Sequence, residues 1–457
     1  MQIMSETARE LETRGLLQRA LGLLRDRALI GSIAALSIKG VGALLGFVVF
    51  TAAARSMGPG PFGTLAIWYN ALSFFAVTAI FGQDILVVRS WGEYVGHKQF
   101  GLAHGAYLFG WRITIVSALA CGLALWIAGS FRGPDVTAAS VAAACAYLMA
   151  QILLHYSSHT CRSIVGFAVS ESNRELTARI ILAATVLLVA RQGLTLAEFF
   201  AAAAGGIGVA VVVQCLAVRR RFPQSVAAAA PQMLLGNWFA RSRSMWVSAV
   251  TEAASQYAEV VLIGLFTSPA VAAEYFIATR IANVFPMLAT GLHSYSMSHA
   301  ANLFFAGKLD ALQSMIRSVM RVAALMMTPL FVAVIFFARP ILLVFGHTYT
   351  AGTGAVIILS TACFIIAMSG PSAGILLTTG FEKIYSRTLV VALAVRFGLI
   401  VFLAQRYGAP GAAAGWALVN IPLSIGLAAL CRRRRAIDPS VMAILPNRHS
   451  RSGGAVA

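Results

Sequence analysis

The chain has 457 residues, 59% apolar and 11% charged, with a net charge of +19 at pH 7. Soluble domains carry roughly 25% charged residues, so a mean hydropathy of +0.80 excludes an ordinary soluble globule and leaves too little hydrophilic length for a folded extramembrane domain. In a soluble chain the Lys and Arg excess would suggest nucleic acid; here it clusters in short segments between apolar runs, where topology signals belong, and no nucleic-acid partner is expected.

Residues 1–27 open the chain as a cytoplasmic segment. Leu17, Leu21, Leu24 and Ala28 fall on one helical face, with Arg14, Arg19, Arg25 and Arg27 mostly elsewhere, the pattern of an amphipathic helix on a membrane surface. Ala52-Ala53-Ala54 resembles a signal-peptidase site, but the apolar run before it is too long for a secretory h-region. A spanning helix needs about 20 apolar residues. Twelve such spans are predicted at 28–54, 63–87, 103–129, 136–160, 177–191, 196–218, 244–266, 271–302, 322–346, 354–379, 385–404 and 410–431. The fifth is short and polar at both ends; the eighth exceeds a bilayer and is expected to continue as helix into the cytoplasm. No ten-residue stretch alternates with period two, which excludes a barrel and leaves an α-helical bundle, where each segment satisfies its own backbone. Residues 436–457, with Pro439, Pro446, Gly453 and Gly454 and no apolar period, read as a disordered tail.

Basic residues alternate between loops. One face collects the N-terminal arginines, Arg89, Lys98, Arg162, Arg174, Arg179, the cluster at Arg219, Arg241, Arg243, Lys308, Arg317, Arg321, Lys383, Arg387 and the run from Arg432, while the other holds Arg55, Arg132, Arg191, Arg339 and Arg406. Positive-inside bias then puts both termini in the cytoplasm, as an even number of spans requires. Pro59 and Pro269 lie 210 positions apart, and the basic clusters at Arg219 and Arg432 lie 213 apart. Two six-span lobes follow, 28–221 and 244–435, joined by a cytoplasmic linker at 222–243 and related by a pseudo-two-fold along the membrane normal, with cargo between them. The six cysteines form no C-x-x-C pair, and no loop contains two, so neither disulfide nor metal site is expected.

The segment from Ala54 to Gly63, Ala-Arg-Ser-Met-Gly-Pro-Gly-Pro-Phe-Gly, resembles the first outer loop of the polysaccharide flippases of the multidrug/oligosaccharidyl-lipid/polysaccharide exporter superfamily. Ala273-Glu274-Tyr275-Phe276-Ile277-Ala278-Thr279-Arg280-Ile281 is similar to that family's start of span eight, with Ala273 where a glycine is usual. Phe345-Gly346-His347-Thr348-Tyr349 and Tyr407-Gly408-Ala409-Pro410-Gly411-Ala412-Ala413 are similar to its loops before spans ten and twelve. The resemblance implies a twelve-helix, two-lobe flippase moving lipid-linked oligosaccharide outward across a bacterial cytoplasmic membrane, alongside a polysaccharide polymerase and export machinery.

Charges inside the spans are the candidate site. A cation at the centre of a spanning helix costs about 2.5–3.5 kcal/mol even on the lenient insertion scale, so Lys39, Arg280 and Arg396, with Arg112 nearer an edge, suggest a wet cavity for anionic cargo. Arg grips phosphate bidentately and Lys as a point charge, which suits a polyprenyl diphosphate bearing a sugar chain. For each, an ion pair or snorkelling is the competing reading, strongest for Arg112. Glu252, Gln256 and Glu259 share one face of span seven. They read either as a site coupling transport to H+ or Na+, the one cofactor-like species considered, or as static partners of the cations. His155 and His159 stand four apart without an acidic third ligand, and no metal is expected. A multidrug exporter would share the fold but favour an acidic cavity. A ligase or polymerase would need catalytic groups in a substantial outer loop, and no outer loop contains a carboxylate pair. No Walker A sequence is present, so the chain is not expected to hydrolyse ATP or to be an enzyme.

Overall fold

The computed structural model describes residues 27–130, 137–378, 381–435 and 437–444. Among them there is no strand, and the protein is an all-α polytopic membrane bundle of twelve spans in two six-helix lobes. Span 1 is Arg27–Met57, and span 2 is Pro59–Ala79 continued after a break by Gln83–Gly96. Spans 3, 4 and 6 are Phe100–Ser130, Ala138–Ile164 and Leu196–Arg221. Span 7 is Leu235–Phe266, span 8 is Pro269–Ala282 followed by Val284–Phe305, and span 9 is Leu309–Phe336 followed by Ala338–Phe345. Span 10 joins Thr353–Met368 to Ser372–Thr378, and spans 11 and 12 share Glu382–Arg435, broken at Gly408.

Among the described residues eight runs are long and apolar enough to cross a bilayer, the last of them holding two spans. Spans 5, 7 and 8 fall outside that set. These are the helices with polar residues or breaks at depth, as expected of elements that face the interior rather than lipid. Span 8 does not run as one helix over 271–302: it is interrupted at Asn283, so its length reflects two segments. The fifth span is longer than predicted. Phe167–Ser172 passes through a π-helical turn at Asn173–Thr177 into Ala178–Val189, carrying Arg174 and Glu175 onto the helix rather than into a loop.

The lobes meet where span 2 packs on spans 7 and 8. At the face opposite the basic loops, Gly63 presses on Pro269 so closely that a Cβ would overlap its carbonyl. Phe62 stacks edgewise on Phe276 and Tyr349, and the Tyr349 hydroxyl donates to the Ala54 carbonyl at 3.1 Å. Gly63→Val is expected to force this seam apart, read as faster labelling of a Ser268→Cys variant by a membrane-impermeant maleimide. At the basic face, span 2 breaks over Ile80–Gly82, where Phe81 and Gly82 take positive φ of 52° and 69°. Span 7 holds the break: Ser242 donates to the Phe81 carbonyl, Trp246 to the Thr78 carbonyl at 2.7 Å, and Gln83 to Ser242 at 2.9 Å. A Cβ at Gly82 would come within 2.8 Å of the Ser242 carbonyl oxygen, so only glycine fits both the φ and the space.

Two expectations about the connections are corrected. The linker expected over 222–243 ends at Leu234, because span 7 begins at Leu235 with Trp238 fully buried and donating to the Tyr94 hydroxyl at 3.0 Å. A one-turn helix, Gln224–Ala227, buries Val226 beneath the N-lobe, and the chain then runs against span 3 through Gln232 N–H to the Gly101 carbonyl and His104 Nδ1 to the Ala229 carbonyl, both 2.9 Å. The tail expected to be disordered from 436 is ordered over 437–444, where Ile437 and Ala443 are buried. There Gln313 exchanges bonds of 3.0 and 2.9 Å with the Asp438 backbone, and Arg317 donates to the Ala443 carbonyl at 2.8 Å. Ser225-Val226 and Ser440-Val441 lie 215 positions apart, and the two straps dock on spans 3 and 9, the matching helix of each lobe. The N-terminal surface helix, and the tail beyond Ile444, lie outside the described residues.

Candidate functional site

A cavity of about 1320 Å³ lies between the lobes. Span 1 supplies small residues, Gly40, Ala43 and Gly46, beside Lys39, whose side chain is exposed to the cavity. Span 5 packs on span 1 at Gly42, where a Cβ would sit 3.0 Å from Glu175 Oε2 and 3.1 Å from an Arg179 terminal nitrogen. Span 4 contributes Arg162, the π-helical turn contributes Arg174 and Glu175, and span 8 contributes Arg280. Phe47, Phe50, Phe276 and Phe345 close the end near the opposite face.

The charge count of the lining is one-sided. Lys39, Arg162, Arg174, Arg179 and Arg280 face a single carboxylate, Glu175. Glu175 is engaged with Arg179 at 2.8 Å, and Arg162 reaches Glu171 at 3.3 Å. Among the described residues, Lys39, Arg174 and Arg280 have no acidic partner within ion-pair distance. Arg280 is the deepest. Its guanidinium lies 4.5 Å from the Phe276 ring centre, 5.5 Å from Phe50 and 5.9 Å from Tyr69, and its buried Nε has no hydrogen-bond partner. A desolvated cation–π contact contributes about 2 kcal/mol at best and distant ones less, whereas burying an ion costs several kcal/mol. The rings therefore hold Arg280 in place without neutralising it, and an anion entering the cavity meets an uncompensated charge.

The predicted residues divide. Lys39 and Arg280 reach the cavity. Arg396 does not, and the reason is local: it is 7% exposed inside the C-lobe, with Nε 3.2 Å from Glu259 Oε1. Its terminal nitrogens donate to the Ser255 carbonyl and hydroxyl at 3.2 and 2.9 Å and to Asn420 Oδ1 at 3.4 Å. Glu259, also 7% exposed, accepts from the Tyr275 hydroxyl at 2.7 Å. Glu259 is thus the ion-pair partner of Arg396 in this structure. Arg112 is on the outer surface of span 3, in line with exposed Ile115, Val116, Leu119 and Leu123, so it extends from a lipid-facing stripe toward the basic face. Arg112→Gln is expected to change transport less than twofold, measured as cargo flux per molecule in vesicles. Glu252 is exposed outside both cavities, and Gln256 lines a smaller chamber with Glu259. Arg162, Arg174 and Arg179 were assigned in sequence to topology alone. The signal for Arg174 is span 5's polar entry, where a π-helical turn puts charge on the helix face, a distortion frequent at functional sites.

Fold and cavity together define a two-lobe, all-helical polytopic membrane protein with a cationic chamber between the lobes. The sequence profile of the family described as polysaccharide biosynthesis protein matches residues 28–296, and the chain belongs to that family. An inward-facing multidrug-resistance MATE-family transporter of the MOP superfamily superimposes with a TM-score of 0.69 at 11% identity, over 88% of this chain and 98% of that one. Lipid II flippase MurJ, in an inward closed conformation, gives 0.66 at 12% identity over 88% and 87%. A MOP superfamily transporter from Pyrococcus furiosus, whose binding pocket is described as of reverse polarity and suggestive of a different function, gives 0.59 at 11% identity over 88% and 94%. At such identities the likeness is one of fold. A search of curated protein sequences returned no match.

Proposed function

We propose that this protein is a flippase that carries a polyprenyl-diphosphate-linked oligosaccharide from the cytoplasmic to the outer leaflet by alternating access, for surface polysaccharide assembly. The setting is a bacterial cytoplasmic membrane with both termini inside. The observation that carries the reading is the lining of the central cavity, where among the described residues five cations face one carboxylate and Lys39, Arg174 and Arg280 have no acidic partner. A diphosphate moved into such a cavity exchanges hydration for charge-assisted bonds. Sugars follow into a solvated space, and the lipid tail stays in the bilayer. The family match to polysaccharide biosynthesis supports the cargo class. The cargo is released unchanged, so the reading assigns no enzymatic step; a polymerase and export machinery would consume it on the far side.

Purified protein in vesicles loaded with a fluorescent farnesyl-diphosphate-linked sugar tests this. Transfer between leaflets, read by dithionite accessibility, is the expected result. Export of ethidium without any movement of the lipid-linked sugar would replace the flippase by a drug exporter.

A further inference from the structure

A second chamber, about 200 Å³, adjoins the cationic cavity, and Tyr257, Arg280 and Asn283 line both. Its remaining wall is unlike the first: Asn70, Gln256, Thr279 and Trp416 surround the Arg396–Glu259 pair. A single water needs only about 10–15 Å³ of such space, so the chamber has room for a larger group. Gln256 and Asn283 are exposed within it, and among the described residues their amides make no hydrogen bond to protein. Asn283 stands at the break in span 8, where the interrupted helix lets a polar side chain project at depth. Among the described residues Arg280 Nε is buried without a hydrogen-bond partner. Buried polar groups are normally satisfied, and here two amides and a guanidinium converge beside the indole of Trp416.

The charge balance selects the occupant. Two guanidiniums, Arg280 and Arg396, face one carboxylate that Arg396 already engages at 3.2 Å, which opposes a metal cation or sodium. A phosphate would find more unpaired cations in the larger cavity. What remains is a neutral group rich in hydroxyls with an apolar ring face, the chemistry of a sugar. Resting on the flippase reading, we infer that this chamber is a glycan-recognition subsite that holds one sugar residue of the cargo while Arg280 holds the diphosphate next door. Specificity for the sugar would then reside in Asn70, Gln256, Asn283 and Trp416, apart from the groups that bind phosphate.

The test compares ligands that differ only by the sugar. Affinities of the protein in nanodiscs are measured for farnesyl diphosphate and for its glucosyl, galactosyl and N-acetylglucosaminyl derivatives. At least one derivative is expected to bind tenfold or more tightly than the bare diphosphate. In Gln256→Ala with Asn283→Ala that gap is expected to fall below threefold, and in Asn283→Ala alone to narrow, whereas Arg280→Ala should weaken bare and glycosylated ligands alike. Absence of a gap in the native protein, or a gap unchanged in both variants, overturns the inference and leaves the flippase reading intact. Failure of every ligand to bind the native protein overturns both. A sodium-specific rise in melting temperature that Glu259→Gln removes would identify a cation site and overturn the inference as well.

Discussion

Arg280→Ala is expected to lower transfer of lipid-linked glycan by about 10–100-fold, with protein still inserted at normal abundance. The magnitude follows from removing one charge-assisted contact in a desolvated setting, worth about 1.5–3 kcal/mol. No carboxylate pairs with this guanidinium among the described residues, so its loss leaves no orphaned anion to destabilise the bundle. Arg280→Lys should recover only part of the activity, because the ammonium keeps the charge but not the planar fork or its fit among Phe276, Phe50 and Tyr69. Leaflet transfer per molecule in vesicles, with membrane abundance measured beside it, decides the matter; normal flux in Arg280→Ala would remove this side chain from cargo handling. Lys39→Ala should cost less, since other cations share the mouth of the same cavity.

The opposite pattern is expected for Arg396. Removing one partner of a buried ion pair costs about 3–5 kcal/mol, because the other charge is left unpaired. Arg396→Ala should therefore lower the melting temperature and the amount of folded protein, while Arg396→Met combined with Glu259→Met should restore much of the stability. A variant of normal stability but no transport would return Arg396 to the cargo path and refute the structural role.

These two arginines show what the sequence could and could not convey. Both were visible as cations at depth, since hydrocarbon on either side makes such residues stand out. Depth along a helix is legible from counting; direction around the bundle is not, because it depends on which helices pack together. Arg396 meets Glu259 of span 7 only once span 11 lies beside it. The span count and the two lobes could be read directly, since bilayer thickness sets the length of each apolar run. The cavity cation Arg174 is hidden by the same logic: its polar surroundings resemble a loop, and the π-helical turn that makes it part of span 5 leaves no apolar period. The straps at 224–227 and 441–444 are too short to carry periodicity, and only their 215-residue spacing betrays them.

Span 7 lies along span 2 from Gly264 against Ile67 near one face to Ser242 against Phe81 near the other. Hydrogen bonds at one end and close packing at the other make that line the spine of a book, with each lobe a cover. Rotation that keeps the spine intact widens the fore-edge, the side of the cavity lined by Lys39 of span 1 and by Met287 and Thr290 of span 8. A gap there faces hydrocarbon, so a long isoprenoid could trail sideways into the lipid while its charged head crosses within, and no seal around the tail is required.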